Sequence, residues 1–133
     1  MIDTHSHLFV EEFSDDLRQT IQRAKDAGVT NIFMPNIDDT TISDMLRVCS
    51  EFPGYCFPML GFHPTSVNAQ SMSVVKDMKR LLDGEHPYIA IGEVGMDLYW
   101  DKTFLLQQQE VFEHHFEPHQ LSYLASIEDL QHW

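Results

Sequence analysis

Apolar runs and helix-spaced apolar positions alternate four times along this chain, and this alternation limits the possible fold more than any other feature. Each strand-like run is followed by apolar residues that recur at a spacing of about 3.6 residues. The strand-like runs cover residues 2–7, 29–35, 55–61 and 88–93. The helical stretches carry Phe13, Leu17, Ile21 and Ala24; Ile42, Met45, Leu46 and Cys49; Val74, Val75, Met78, Leu81 and Leu82; and Leu105, Phe112 and Phe116.

Residue types at the ends of these stretches indicate where the helices begin and end. A hydroxyl near a helix start can accept a hydrogen bond from a free backbone N–H, and glycine favours the turn that ends a helix. The residues expected near the starts are Ser14, Thr40 or Thr41, Ser73 and Thr103. Those expected at the ends are Gly28, Pro53 with Gly54, and Gly84.

Successive strand-then-helix units predict an α/β fold with parallel strands and right-handed crossovers. Such units close into an eight-stranded barrel or form an open sheet, and both architectures bind ligands at the carboxyl ends of the strands. His5 and His7 end the first predicted strand, Asn36 follows the second, His63 the third, and Glu93 ends the fourth. We therefore interpret these residues as parts of one shared site.

The pair His5 and His7 has the spacing of a metal chelate. Side chains two apart on a strand project from the same face, and imidazole binds zinc, iron, nickel and copper. Glu93 would add a carboxylate, which with two imidazoles suits a divalent ion in a hydrolase. The alternatives are a solvated terminal turn for the two histidines and an ordinary surface carboxylate for Glu93. His63, before Pro64, follows the third strand at the same edge, and its alternative is a loop histidine facing solvent.

Composition restricts the possible partners. The chain of 133 residues has 21 acidic and 8 basic side chains and a formal net charge of −13. This charge is opposite to that of proteins that bind nucleic acid without sequence preference, so a polyanionic partner requires metal ions. No apolar run reaches the roughly 18 residues of a membrane span, and no export signal is evident, so we expect a cytoplasmic location without membrane association. Cys49 and Cys56 are expected to be small buried apolar residues.

Three ordered motifs resemble the amino-terminal signatures of the TatD family of metal-dependent deoxyribonucleases: residues 1–8 (MIDTHSHL), 61–64 (GFHP) and 91–97 (IGEVGMD). The resemblance implies a TIM-type barrel of the metallo-dependent hydrolase superfamily that cleaves phosphodiester bonds of DNA. It implies that His5 and His7 bind one metal ion and that Glu93 is a catalytic residue bridging metals. It also implies that His63 lies near the scissile phosphate, where it would donate a hydrogen bond to a phosphate oxygen or carry a proton. For Asp97 it leaves a direct role and a supporting role open.

The resemblance covers roughly residues 1–113, which hold about four of the eight βα units of such a barrel. We expect one incomplete domain over residues 1–133, in which residues 114–133 diverge from the family. The four histidines of this tail have no strand to bring them together, so we interpret them as ordinary residues. We expect the tail to arise from a frameshift or premature stop. An unclosed sheet leaves an exposed edge, which predicts a homo-oligomer that covers it.

The first functional hypothesis is a TatD-like hydrolase that uses one or two divalent ions, with zinc, magnesium and manganese not distinguished. DNA, RNA and a smaller phosphoester all remain open as substrates. The second is an inactive fragment or pseudoenzyme that retains weak metal binding. The third is another hydrolase that opens with His-x-His, such as an amidohydrolase or a phosphatase of the polymerase-and-histidinol type; the motifs at residues 61–64 and 92–93 favour the first hypothesis.

Overall fold

Four parallel strands and four helices alternate along the chain in a computed structural model that describes residues 1–116. The strands are β1 (Ile2–Asp3), β2 (Asn31–Pro35), β3 (Cys56–Leu60) and β4 (Ala90–Ile91). The helices are α1 (Leu17–Asp26), α2 (Ile42–Glu51), α3 (Ser71–Lys79) and α4 (Leu105–His115). The predicted α/β class with four βα units is confirmed.

The order of the strands decides between the two architectures that the sequence left open. The sheet order is β1-β2-β3-β4, and every neighbouring pair is parallel. A doubly wound open sheet reverses its order at a switch point, whereas a barrel keeps the strands in chain order. The sheet is a curled half of a TIM-type barrel, with its helices on the outside.

The core lies between the outer face of the sheet and the helices. Met34 of β2 and Met45 and Val48 of α2 are fully buried there. Alternate residues of the strands point to the opposite, inner face, where the rings of Phe33 and Phe57 meet edge to face with centroids 5.9 Å apart. This alternation follows from the two-residue period of a strand, and it directs one set of side chains toward the barrel axis.

Three of the helix starts differ from those predicted. The helix α1 begins at Leu17 because a 3₁₀ turn at Glu11–Phe13 uses the preceding residues, so Ser14 is not its cap. Ser73 lies inside α3, where its hydroxyl donates to the carbonyl of Gln70, and Thr103 lies in the turn before α4. Gly28 and Gly54 follow the ends of α1 and α2 with positive φ angles, as predicted, whereas α3 ends at Lys79 and a 3₁₀ turn at Arg80–Leu82 separates it from Gly84.

The last described helix includes the first two histidines of the predicted tail. His114 and His115 belong to α4, and Nδ1 of the buried His115 lies 2.7 Å from the carbonyl oxygen of Val111. The rest of the tail, with its two further histidines, lies outside the described residues. Within residues 1–116, no helix is both long enough and apolar enough to cross a bilayer.

Candidate metal centre

Three potential ligand side chains meet at the carboxyl end of the sheet. His5 and His7 follow β1, and Glu93 follows β4. Oε2 of Glu93 lies 2.9 Å from Nε2 of His5 and 3.5 Å from Nε2 of His7, and the two Nε2 atoms are 3.1 Å apart. Since β1 and β4 are the two outer strands of this sheet, only its curvature brings their ends to one point.

The ring of His7 is oriented by a backbone contact. Its Nδ1 lies 3.0 Å from the carbonyl oxygen of Pro35, which can only accept a hydrogen bond. Nδ1 therefore carries the proton, and the lone pair of Nε2 faces Glu93 and His5. Burial, followed by the nearby imidazole of His5, lowers the pKa of His7 and favours the neutral ring. A neutral imidazole with its lone pair directed into the site is the form that binds a metal.

His63 has the opposite tautomer. Its Nδ1 accepts the backbone N–H of Thr65 at 3.2 Å and lies 2.6 Å from the hydroxyl of the same residue. Because Nδ1 is an acceptor, the proton resides on Nε2, which donates to Oε1 of Glu93 at 3.2 Å. His63 thus contacts the carboxylate as a donor, whereas His7 offers a lone pair. The two oxygens of Glu93 are divided between these neighbours.

His5 is the member of the cluster that is open to solvent. Its side chain is 54% exposed, about twice the fraction of His7 or Glu93. The backbone N–H of His5 donates to Oδ1 of Asp3, which fixes the turn that carries the histidine away from β1. The open side next to His5 gives ions and water a path to the cluster.

Asn36 holds Glu93 in place, a role that the sequence analysis did not assign. Its backbone N–H donates to the carbonyl of Gly92 at 3.0 Å, and its carbonyl accepts the N–H of Glu93 at 3.1 Å. Its fully buried side chain donates to the carbonyls of Gly61 and Asp38 and accepts the hydroxyl proton of Thr41. The only sequence signal was an amide residue directly after a strand.

Gly61 permits the close approach between the ends of β3 and β4. A Cβ atom at this position would lie 2.4 Å from the carbonyl carbon of Gly92 and 2.6 Å from the backbone nitrogen of Glu93. Distances this short exclude any side chain without a shift of the backbone. The glycine of the 61–64 motif therefore positions Glu93, while the histidine of the same motif contacts its carboxylate.

The donor set fits a divalent ion. The ligand atoms of His5, His7 and Glu93 all lie within 4.8 Å of one another, as expected for atoms that share one ion at about 2.0–2.2 Å each. Two imidazole nitrogens and one carboxylate oxygen form a borderline set that zinc and manganese both accept. No other group of three His, Cys, Asp or Glu side chains within residues 1–116 has donor atoms as close together.

Comparison with protein families gives the same classification as the motifs. The model of the family described as TatD-related DNase matches residues 2–119. The chain belongs to the TatD-related DNase family. The predicted resemblance is confirmed, and the family's use of divalent metal agrees with the donor set at the rim of the half-barrel.

Individual TatD relatives match over most of this chain. It is 31% identical over 115 residues to YabD of Bacillus subtilis (strain 168), an uncharacterized metal-dependent hydrolase, covering 84% of this chain and 43% of YabD. It is 31% identical over 113 residues to a 3'-5' ssDNA/RNA exonuclease TatD of Pantoea sp. (strain At-9b), covering 85% and 43% of the two proteins. The crystal structure of YjjV, a TatD homologue of Escherichia coli K12, aligns with a TM-score of 0.75 at 29% identity, covering 85% of this chain and 44% of YjjV. The chain thus spans less than half the length of these relatives.

Proposed function

We propose that His5, His7 and Glu93 bind a divalent ion and that the resulting site hydrolyses phosphodiester bonds of nucleic acid. The observation that carries this proposal is the convergence of the three donor atoms within 4.8 Å at one end of the half-barrel. The proposal leaves the ion as zinc, magnesium or manganese, with one or two ions in the site. Glu93 is the residue that would bridge two ions, because both of its oxygens face the site.

A bound divalent ion supplies Lewis acidity for the attack of water on phosphorus. The chain's own residues then have separate tasks. His7 keeps its ring fixed through the carbonyl of Pro35 and presents a neutral nitrogen. His63 donates the hydrogen of Nε2 to Glu93, and a phosphoryl oxygen in the site would replace Glu93 as the acceptor of this hydrogen bond. As a hydrogen-bond donor it would stabilise the negative charge that develops on the phosphate.

The charge of the chain is consistent with a metal-dependent nuclease. With 21 acidic and 8 basic side chains, the protein offers little positive charge to a phosphate. The site itself has three histidines and a carboxylate and no Lys or Arg among the described contacts of Glu93. Neutralisation of the substrate therefore depends on the ion, and removal of the ion should abolish both binding of the phosphate and hydrolysis.

Metal binding and hydrolysis can be measured separately. We expect the full chain to bind one or two equivalents of Zn²⁺ or Mn²⁺ by calorimetry and to hydrolyse bis(p-nitrophenyl) phosphate in a chelator-sensitive way. His7→Ala and Glu93→Gln should lose both properties, whereas Glu85→Gln, an exposed glutamate in the loop before β4, should retain them. Absence of metal binding by the wild-type chain would overturn the proposal. Tight binding without hydrolysis would favour the second hypothesis, a metal-binding chain without catalysis.

We propose that a second copy of the chain covers an edge of the sheet, because β1 and β4 each pair on one side only within residues 1–116. Light scattering should then give twice the mass of one chain, and a monomer at all concentrations would refute it.

We also propose a cytoplasmic location, which is supported by the free thiols of Cys49 and Cys56, since reducing compartments keep thiols unpaired.

A further inference from the structure

The loop that follows Glu93 carries two large aromatic side chains with very little cover. Tyr99 and Trp100 are 83% and 78% exposed among the described residues. Their rings contact each other edge to face, with centroids 4.8 Å apart. Two adjacent aromatic side chains that are this exposed form an apolar patch, and such patches frequently mark a binding site.

The loop is fixed although its aromatic rings are exposed. The backbone N–H of Asp97 donates to Oε1 of Gln108 at 2.8 Å, and Nε2 of Gln108 donates to the carbonyl of Asp97 at 3.0 Å. Gln108 is buried in α4. The carboxylate of Asp97 then accepts the N–H of Tyr99 at 2.9 Å. Because the loop is already ordered, a ligand that contacts the two rings does not have to order it.

Trp100 connects this loop to the candidate metal centre. It lines a cleft of about 260 Å³ together with Pro64 and Thr65, which follow His63 directly. Thr65 is the residue whose hydroxyl and N–H hold the ring of His63. A strand of nucleic acid with its phosphate at His63 and Glu93 would therefore have its neighbouring bases within reach of the cleft.

The charges of the cleft favour bases over phosphates. Among the described residues that line it, the charged ones are Asp97 and Asp101, and none is Lys or Arg. Carboxylates repel phosphates but accept hydrogen bonds from the amino groups of bases. With a net charge of −13 on the whole chain, affinity for a nucleic acid must come from contacts other than ion pairs.

We propose that Tyr99 and Trp100 form a stacking platform for the bases of single-stranded nucleic acid next to the scissile phosphate. The inference rests on the proposed nuclease function and adds the part of the substrate that is recognised. Stacking on an aromatic ring tolerates every base and strengthens binding by roughly 5- to 150-fold per base. Bases inside a duplex are already stacked on each other, so the platform selects single strands. Binding of this kind depends weakly on salt, in contrast to binding through phosphates.

The platform can be tested without metal, by the binding of a labelled oligothymidylate to the full chain in the presence of chelator. We expect Trp100→Ala to weaken binding about tenfold or more and Trp100→Phe to retain most of it. Leu106→Ala is the matched control, since Leu106 is also strongly exposed but does not line the cleft. The fluorescence of Trp100, isolated by Trp133→Phe, should be quenched by the oligonucleotide.

Three outcomes would overturn the platform. They are unchanged affinity in Trp100→Ala, equal affinity for an abasic strand of the same length, and a loss of self-association rather than of oligonucleotide binding. Binding of the divalent ion, measured by calorimetry, separates this inference from the proposed function, because Tyr99 and Trp100 are not among the proposed ligands. The platform predicts that Trp100→Ala binds the ion as the wild type does while raising the KM for oligonucleotides. If the wild-type chain fails to hydrolyse bis(p-nitrophenyl) phosphate yet binds single strands through Trp100, the nuclease proposal fails and the platform stands.

Discussion

Nε2 of His63 lies 3.2 Å from Oε1 of Glu93, while Oε2 of the same carboxylate lies 2.9 Å from Nε2 of His5. The first contact is a hydrogen bond from a protonated nitrogen, because Nδ1 of His63 is occupied as an acceptor by Thr65. The carboxylate thus lies between the donating Nε2 of His63 and the lone pair of Nε2 of His7, which is 3.5 Å from Oε2.

Replacement of His63 should affect catalysis more than metal binding. In His63→Ala we expect kcat for a phosphodiester to fall about 100- to 1,000-fold, as for loss of a hydrogen-bond donor to the charge that develops in the transition state. Metal affinity should fall only about tenfold, because His63 orients Glu93 without being a ligand. Thr65→Val, which removes the hydroxyl but keeps the backbone N–H, should give an intermediate kcat. Steady-state kinetics and calorimetry measure the two effects, and a loss of metal affinity as large as that in His7→Ala would contradict the assigned tautomer.

Gly61→Ala should displace Glu93. The new Cβ atom would lie 2.4 Å from the carbonyl carbon of Gly92, so the backbone must shift. We expect metal affinity to fall at least about tenfold and the free energy of unfolding to fall by about 1–3 kcal/mol. Gly95→Ala is the matched control, since nothing lies within 4 Å of a Cβ atom there. Equal metal affinity in the two variants, measured by calorimetry, would show that the close approach at Gly61 does not position the site.

Asn36→Ala should destabilise the chain and weaken the metal centre together. The substitution removes the side-chain donors to the carbonyls of Gly61 and Asp38, at the same loop whose backbone holds Glu93. We expect the free energy of unfolding in urea to fall by roughly 2–4 kcal/mol, because buried polar groups lose their partners. Gln19→Ala, which replaces an exposed amide side chain of α1, should change neither property appreciably. Normal stability of Asn36→Ala would refute the role of this hydrogen-bond network.

The buried His115 should make stability depend on pH. Burial lowers its pKa below the ordinary value of 6.5, so between the two values the unfolded chain binds the proton and the folded chain does not. The free energy of unfolding therefore falls as the pH falls through 6.5, and it levels off below the pKa of the folded state. His115→Gln removes this contribution, so the difference between wild type and variant should shrink on acidification from about pH 8 to about pH 5. Urea unfolding across that range measures it, and a constant difference would contradict the burial of a neutral ring.

The sequence predicted which side chains lie together at the site better than it predicted the hydrogen bonds that hold them in place. The side chains of His5, His7, His63 and Glu93 lie together because all follow the carboxyl ends of parallel strands, and the alternation of strands and helices could be derived from periodicity. The strands β1 and β4 are shorter than predicted, because residues 4–7 after β1 and residues 88–89 and 92–93 around β4 lie outside the sheet ladder. The roles of the metal-site residues themselves stay predictions.

The supporting contacts could not be derived in this way. The bond from Asn36 to the carbonyl of Gly61 joins loops that are distant along the chain, and no spacing rule connects them. Helix caps failed for a related reason. Thr41 stands before α2, but its hydroxyl donates to Oδ1 of Asn36 instead of capping the helix. Local preference is overruled there by a buried partner that needs the donor.

Anomalous diffraction from crystals of the full chain soaked in Mn²⁺ or Zn²⁺ tests the central claim most directly. We predict a metal peak bound by Nε2 of His5, Nε2 of His7 and Oε2 of Glu93, at about 2.0–2.3 Å from each atom. The peak should vanish in Glu93→Gln and persist in Glu85→Gln. A peak on other residues alone, or none at a saturating metal concentration, would contradict the account.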